Sequence, residues 1–116
     1  MQDFRSLRVW EKAHALVMRV FPMSRRLPKD ELFGLQLTLR RVSAAIPMKI
    51  AEGCGRNNDP DFHKCLNAAM GNAADLEYQL ILVRDLGYLP NDEYAALNAE
   101  LVEVKKMLNV FLQRLS

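Results

Sequence analysis

Cysteine is scarce in this chain: Cys54 and Cys65 are the only two. They are too few for a disulfide framework and suit a reducing compartment, so a cytoplasmic protein is expected. Histidine is equally rare, with His14 and His63 alone. A hydrolytic site needs a nucleophile, a base and an orienting group, and neither histidine sits in such a pattern. No apolar run approaches the length of a membrane span, and no charged-then-apolar leader follows Met1, so neither insertion nor secretion is expected. Long β-alternation is missing too. Without a strand ahead of it, Gly53-Cys54-Gly55 does not read as a phosphate loop, and no nucleotide or other cofactor is expected.

What is present is a chain of 116 residues, half of them hydrophobic. That is one domain of ordinary size with enough apolar material for a core. The net charge is +2, but it is unevenly spread. Residues 1–58 hold eleven Lys/Arg against five Asp/Glu, while residues 59–116 hold five against nine. Two readings are open: a basic face for nucleic acid or an acidic partner, or attraction between the two halves within the fold or between subunits.

Periodicity and punctuation predict four helices. The first covers about residues 6–24, capped by Ser6, with Trp10, Ala13, Val17 and Val20 as its seam and Leu16 and Phe21 widening it. Pro22 should bend or fray its last turn, and Pro28 bars continuation. The second begins near Lys29, with Asp30 and Glu31 on the positive end of its dipole. Its seam is Leu35, Leu39, Val42, Ile46 and Ile50. Pro47 lies inside this helix and leaves the Ser43 carbonyl without its helical donor, which predicts a kink or a bound water there. Gly53 and Gly55 then offer a left-handed ending. The third helix starts with Asp59 as cap and Pro60 in its first turn. Phe62, Leu66, Ala69, Ala73, Leu76, Leu80 and Val83 repeat at 4-3-4-3-4-3, a heptad seam that ends at Leu86-Gly87. The fourth starts at Asn91, with Leu97, Leu101, Val104, Leu108, Phe111 and Leu115 in line. Short connections make neighbours antiparallel, so the expected fold is an all-α, up-down-up-down four-helix bundle.

Further apolar rows flank two seams: Met70, Ala74, Tyr78 and Leu82 on the third helix, and Val102, Met107, Val110 and Leu112 on the fourth. Scattered surface hydrophobes are ordinary, but rows that persist across two helices point to a subunit interface. Arg40, Arg41, Glu52 and Glu77 lie near the seams. They are expected to form partly buried Arg–Glu pairs that set helix register or subunit contacts. Small residues around Gly71 read as a site of close helix approach. Cys54, His63 and Cys65 do not meet a zinc spacing, so no metal is expected. The candidate nucleic-acid surface is Arg5, Arg8, Lys12, Arg19, Arg25 and Arg26, with Lys29. Arg8, Lys12 and Arg19 recur along one helix side, a pattern that any solvated face also shows.

The chain resembles the four-helix-bundle protein family linked to 23S rRNA intervening sequences, whose wider group includes the accessory variability proteins of diversity-generating retroelements. Asp3-Phe4, Leu7, Val9-Trp10 and Lys12-Ala13 match the family's opening. Phe33-Gly34-Leu35 matches its second helix. Arg40-Arg41, Ile46-Pro47, Ile50-Ala51-Glu52-Gly53 and Gly55-Arg56 match its most specific stretch. Ala69, Gly71, Leu76-Glu77, Gln79-Leu80 and Asp85-Leu86-Gly87-Tyr88-Leu89 complete the match. The chain departs in two places: Met48-Lys49 replaces a small polar residue followed by Asn, and Cys54 replaces an aromatic.

The resemblance implies a cytosolic, non-enzymatic ring, typically a homopentamer. Its partners would be RNA or a ribonucleoprotein, with a reverse transcriptase among them, reached through repeated basic faces. In that reading Pro47, Gly53 and Arg56, with the Arg and Glu residues above, serve structure and assembly. The alternative is a protein-interaction scaffold that binds no nucleic acid.

Overall fold

The structure is a computed structural model that describes residues 2–115. Four α-helices carry it: α1 (Arg8–Arg25), α2 (Leu37–Cys54), α3 (Asp59–Asp85) and α4 (Asn91–Leu115). α1 packs on α2, α2 on α3, α3 on α4, and α4 closes back on α1. This is the all-α, up-down-up-down bundle that the seams predict, drawn out to 44 × 24 × 20 Å. None of its described helices is long and apolar enough to cross a membrane.

The heptad of α3 is buried along its whole length, from Phe62 to Val83. On α4 the seam holds through Leu108 and then drifts, so that Leu112 is buried while Phe111 and Leu115 are only partly covered. A straight helix drifts about 20° per heptad, which moves the covered face by a residue within a few turns. α1 shows a similar offset. Its buried row is Val9, Ala13, Leu16, Val20 and Met23, beside rather than on the Trp10–Val17 line.

Several helix starts differ from expectation. Ser6 does not cap α1; its hydroxyl donates to the Asp3 carbonyl at 2.7 Å, within a 3-10 turn over Phe4–Ser6. Leu7 occupies the cap position with no side-chain bond. α3 is capped by Asn58, whose Oδ1 accepts from the Asp61 amide at 2.9 Å, so Asp59 is its first helical residue. The approach to α2 is irregular: a 3-10 turn at Lys29–Glu31 passes into a π-turn at Leu32–Gln36 before the α-helix begins. α1 runs on through Pro22, and α2 runs on through a buried Pro47.

Gly53 and Gly55 do not form a left-handed ending. Gly87 is the described glycine with positive φ, at 83°. There the Gly87 amide donates to Arg84 and the Tyr88 amide to Val83, at 2.9 and 3.0 Å. These are the paired bonds of a helix ending that reverses through a left-handed residue.

Candidate functional site

Three cations, two on α1 and one at its C-terminal cap, face α4. Arg19 reaches Glu100 at 2.8 Å, Lys12 reaches Glu103 at 3.8 Å, and Arg26 grips both carboxylate oxygens of Glu93. The cations recur every seven residues on α1, and the acids run in reverse order on α4. Three of the eleven cations of the basic half are thus paired with the acidic half inside one subunit. The charge-assisted bond to Arg26 draws Glu93 below the ordinary carboxylate range and raises Arg26 in return. Arg5 pairs locally with Asp3 at 3.1 Å. Arg8, Arg25 and Lys29 are exposed, and no carboxylate of the described residues pairs with them.

The expected Arg–Glu pairs of Arg40 and Arg41 are not made among the described residues. Arg40 instead joins a polar hub between α1 and α2. Its Nε donates to the Ser24 hydroxyl at 2.8 Å, that hydroxyl donates to the Phe21 carbonyl at 2.7 Å, and Gln36 Nε2 donates to the Ser24 carbonyl at 2.9 Å. The Arg40 guanidinium also lies 5.2 Å from the centre of the Phe21 ring. Arg41 is exposed and makes no ion pair among the described residues. Glu77 pairs with Lys105 of α4 at 2.6 Å, both partly covered. Ser24 and Gln36 carried no readable signal in the sequence, since a lone Ser or Gln inside a helix has no distinctive spacing.

At the end of α2, Glu52 accepts from Arg56 at 2.7 Å and from Lys49 at 3.1 Å. The Arg56 bond first, then Lys49, pulls the Glu52 carboxyl below its usual range. This is the opposite of what a general acid at neutral pH requires. Lys49 is thus tied to Glu52, while Met48 beside it is exposed. Cys54 and Cys65 are free and buried, and burial pushes the Cys54 thiol upward. His14 stacks on Trp10 with ring centres 5.1 Å apart. Among the described residues no group of three or more His, Cys, Asp or Glu could hold a metal ion.

Gly53 has a role that its turn-like sequence disguised. A β-carbon there would stand 2.7 Å from Phe62 Cδ1 and 3.0 Å from Cys65 Cβ, so α2 and α3 touch at this point. Gly71, by contrast, faces open space, and the close approach expected there is not made within the subunit.

The extra apolar rows of α3 and α4 are partly spent on the core. Met70 and Met107 pack against it, Leu112 is buried, and Leu82 and Val102 are half-covered. Tyr78 and Val110 remain exposed. Another set of exposed apolar residues lies on the irregular approach to α2 and at its first residue: Phe33 is 86% exposed, and Leu32 and Leu37 are about half exposed. Phe33 belongs to the Phe33-Gly34-Leu35 match, but its outward direction depends on the π-turn.

The family described as 23S rRNA-intervening sequence protein matches residues 5–110. A crystal structure of a protein of unknown function from the S23 ribosomal protein family of Bacteroides thetaiotaomicron is similar to this one. Its TM-score is 0.84 at 24% identity, over 90% of this chain and 95% of that chain. No curated protein matches.

Proposed function

The chain belongs to the 23S rRNA-intervening sequence protein family, and from that premise we propose that it is a non-enzymatic scaffold that works as a homo-oligomeric ring. The pentameric form is what the family resemblance implies. One observation carries the reading: Leu32 and Phe33 stand exposed on a π-turn, with Leu37 exposed just after it at the start of α2. A large aromatic left in water among aliphatic neighbours marks an interaction surface, and π-turns within helices recur at functional sites. Arg41, also exposed on α2, is available to a second copy. A cytoplasmic location goes with the two free thiols.

The test is the mass of the purified chain by light scattering and native mass spectrometry. The wild type should be a discrete oligomer, and Phe33→Asp should shift it to smaller species while keeping its helical circular dichroism. A wild type that stays monomeric at micromolar concentration overturns the reading.

A second reading is favoured by Arg8, Arg25 and Lys29, which keep no intrachain carboxylate among the described residues. Repeated around a ring, these cations would attract phosphate multivalently. RNA or a ribonucleoprotein, including one built on a reverse transcriptase, is the partner class of that reading.

A further inference from the structure

A groove of about 630 Å³ opens between the first turn of α1 and the C-terminal half of α4. Because α1 begins where α4 ends, this groove and the Phe33 cluster lie at opposite ends of the bundle. Its lining is mainly apolar, with Leu7, Met107, Val110 and Phe111 exposing carbon. Three cations stand around it: Arg8 from α1, and Lys106 and Arg114 from α4. Among the described residues none of the three has a carboxylate within ion-pair distance. The one acid at the rim, Glu103, faces Lys12 at 3.8 Å.

The sequence arranges this. Lys106, Val110 and Arg114 fall four residues apart, which puts an exposed valine between two cations on one line of α4. Glu103, Met107 and Phe111 form the adjacent line. From Glu103 to Arg114 the helix rises about 16 Å, or about three turns.

We infer that this groove docks an acidic amphipathic helix of a partner protein, about three turns long. The inference adds a partner class to the scaffold reading and rests on that reading for its purpose. Charge complementarity selects the occupant. An uncharged apolar helix would cover the floor and leave three cations facing nothing. A nucleic acid would meet the cations and leave the carbon floor wet. A helix with leucines on one side and Asp or Glu flanking them satisfies both, in the helix-in-groove manner.

The experiment uses the full chain and a fluorescent three-turn synthetic peptide, with Leu on one face and Glu on the flanks. A peptide of the same composition in scrambled order is the control. Saturable binding is expected, weakened about tenfold or more by Val110→Asp and by Arg8→Glu with Arg114→Glu, and unchanged by Phe33→Asp. All four side chains are exposed, and circular dichroism checks that each variant folds. The proposal is overturned if the scrambled peptide binds equally well or if neither peptide saturates. It also fails if Val110→Asp lowers the oligomer mass, since the groove would then be a contact between copies. It fails likewise if a short single-stranded RNA binds with an affinity that the charge reversals abolish while the peptide does not bind. Mass is recorded on the same samples. Intact oligomer with no peptide binding sinks the groove alone, and peptide binding to a monomer sinks the ring alone.

Discussion

Gly53 and Gly71 sit in helices eighteen residues apart in sequence and should respond oppositely to the same methyl group. At Gly53 the new carbon would press on the Phe62 ring, which cannot swing away cheaply because it already packs edge-on against Phe111 at 5.3 Å. Gly53→Ala should therefore cost about 1–3 kcal/mol, the usual penalty of overpacking. Gly71 is exposed inside α3 and a methyl group there meets nothing within 4 Å. Gly71→Ala should stabilise the subunit by about 0.5–1 kcal/mol, because alanine loses less backbone entropy in a helix. Urea midpoints of the two variants check both signs. A stabilised Gly53→Ala would mean that α2 and α3 do not meet there. If Gly71→Ala lowered the oligomer mass while the subunit stayed folded, another copy would have to approach α3 at that point.

At the scale of the element, the seams were the legible part. Leu66, Leu76 and Leu80 lie on the heptad seam and all three are fully buried, so Leu80→Ala should cost about 2–5 kcal/mol in chemical denaturation. The ends of the helices were less legible, for a physical reason. Around residue 59 three polar side chains stand close together, and the cap goes to whichever residue adopts the extended backbone. That residue is Asn58, at φ −147° and ψ 157°. The π-turn before α2 and the Ser24–Gln36–Arg40 hub depend on how α1 and α2 meet, which no local pattern encodes. The α1–α4 ion pairs were half legible: the cations recur at a spacing of seven, but their partners emerge only with the antiparallel register. Those pairs make a prediction in acid. Arg26 holds Glu93 in its charged form, so its folded value lies below the ordinary one of about 4.3. A depressed folded value stabilises the fold fully above the unfolded value, and that contribution is lost as pH falls through the depressed one. Glu93→Gln should then flatten the acid limb of the stability curve below about pH 4 and leave its neutral shape alone. Equal acid limbs in the two proteins would show that the pair does not persist in solution.

For the whole molecule, the lopsided charge of the sequence resolves inward along one seam, between α1 and α4, and only in part. Lys12, Arg19 and Arg26 are engaged by α4, while Arg25 and Lys29 stand free of carboxylates among the described residues. A polyanion would sense the second set far more than the first, because a paired cation already has its counter-charge. Each phosphate contact on single-stranded nucleic acid contributes about 0.7 to the slope of log affinity against log salt. If RNA is a ligand, Arg25→Gln with Lys29→Gln should lower that slope by about 1.4 for each subunit in contact. Lys12→Gln with Arg19→Gln should change it by much less, with binding weakened slightly by the carboxylates it uncovers on α4. Titration of a short single-stranded RNA into the intact assembly across a salt series separates the two. A larger loss of slope from the Lys12 and Arg19 pair would mean that the α1–α4 ion pairs open to receive RNA, and the inward reading of the charge would then be wrong.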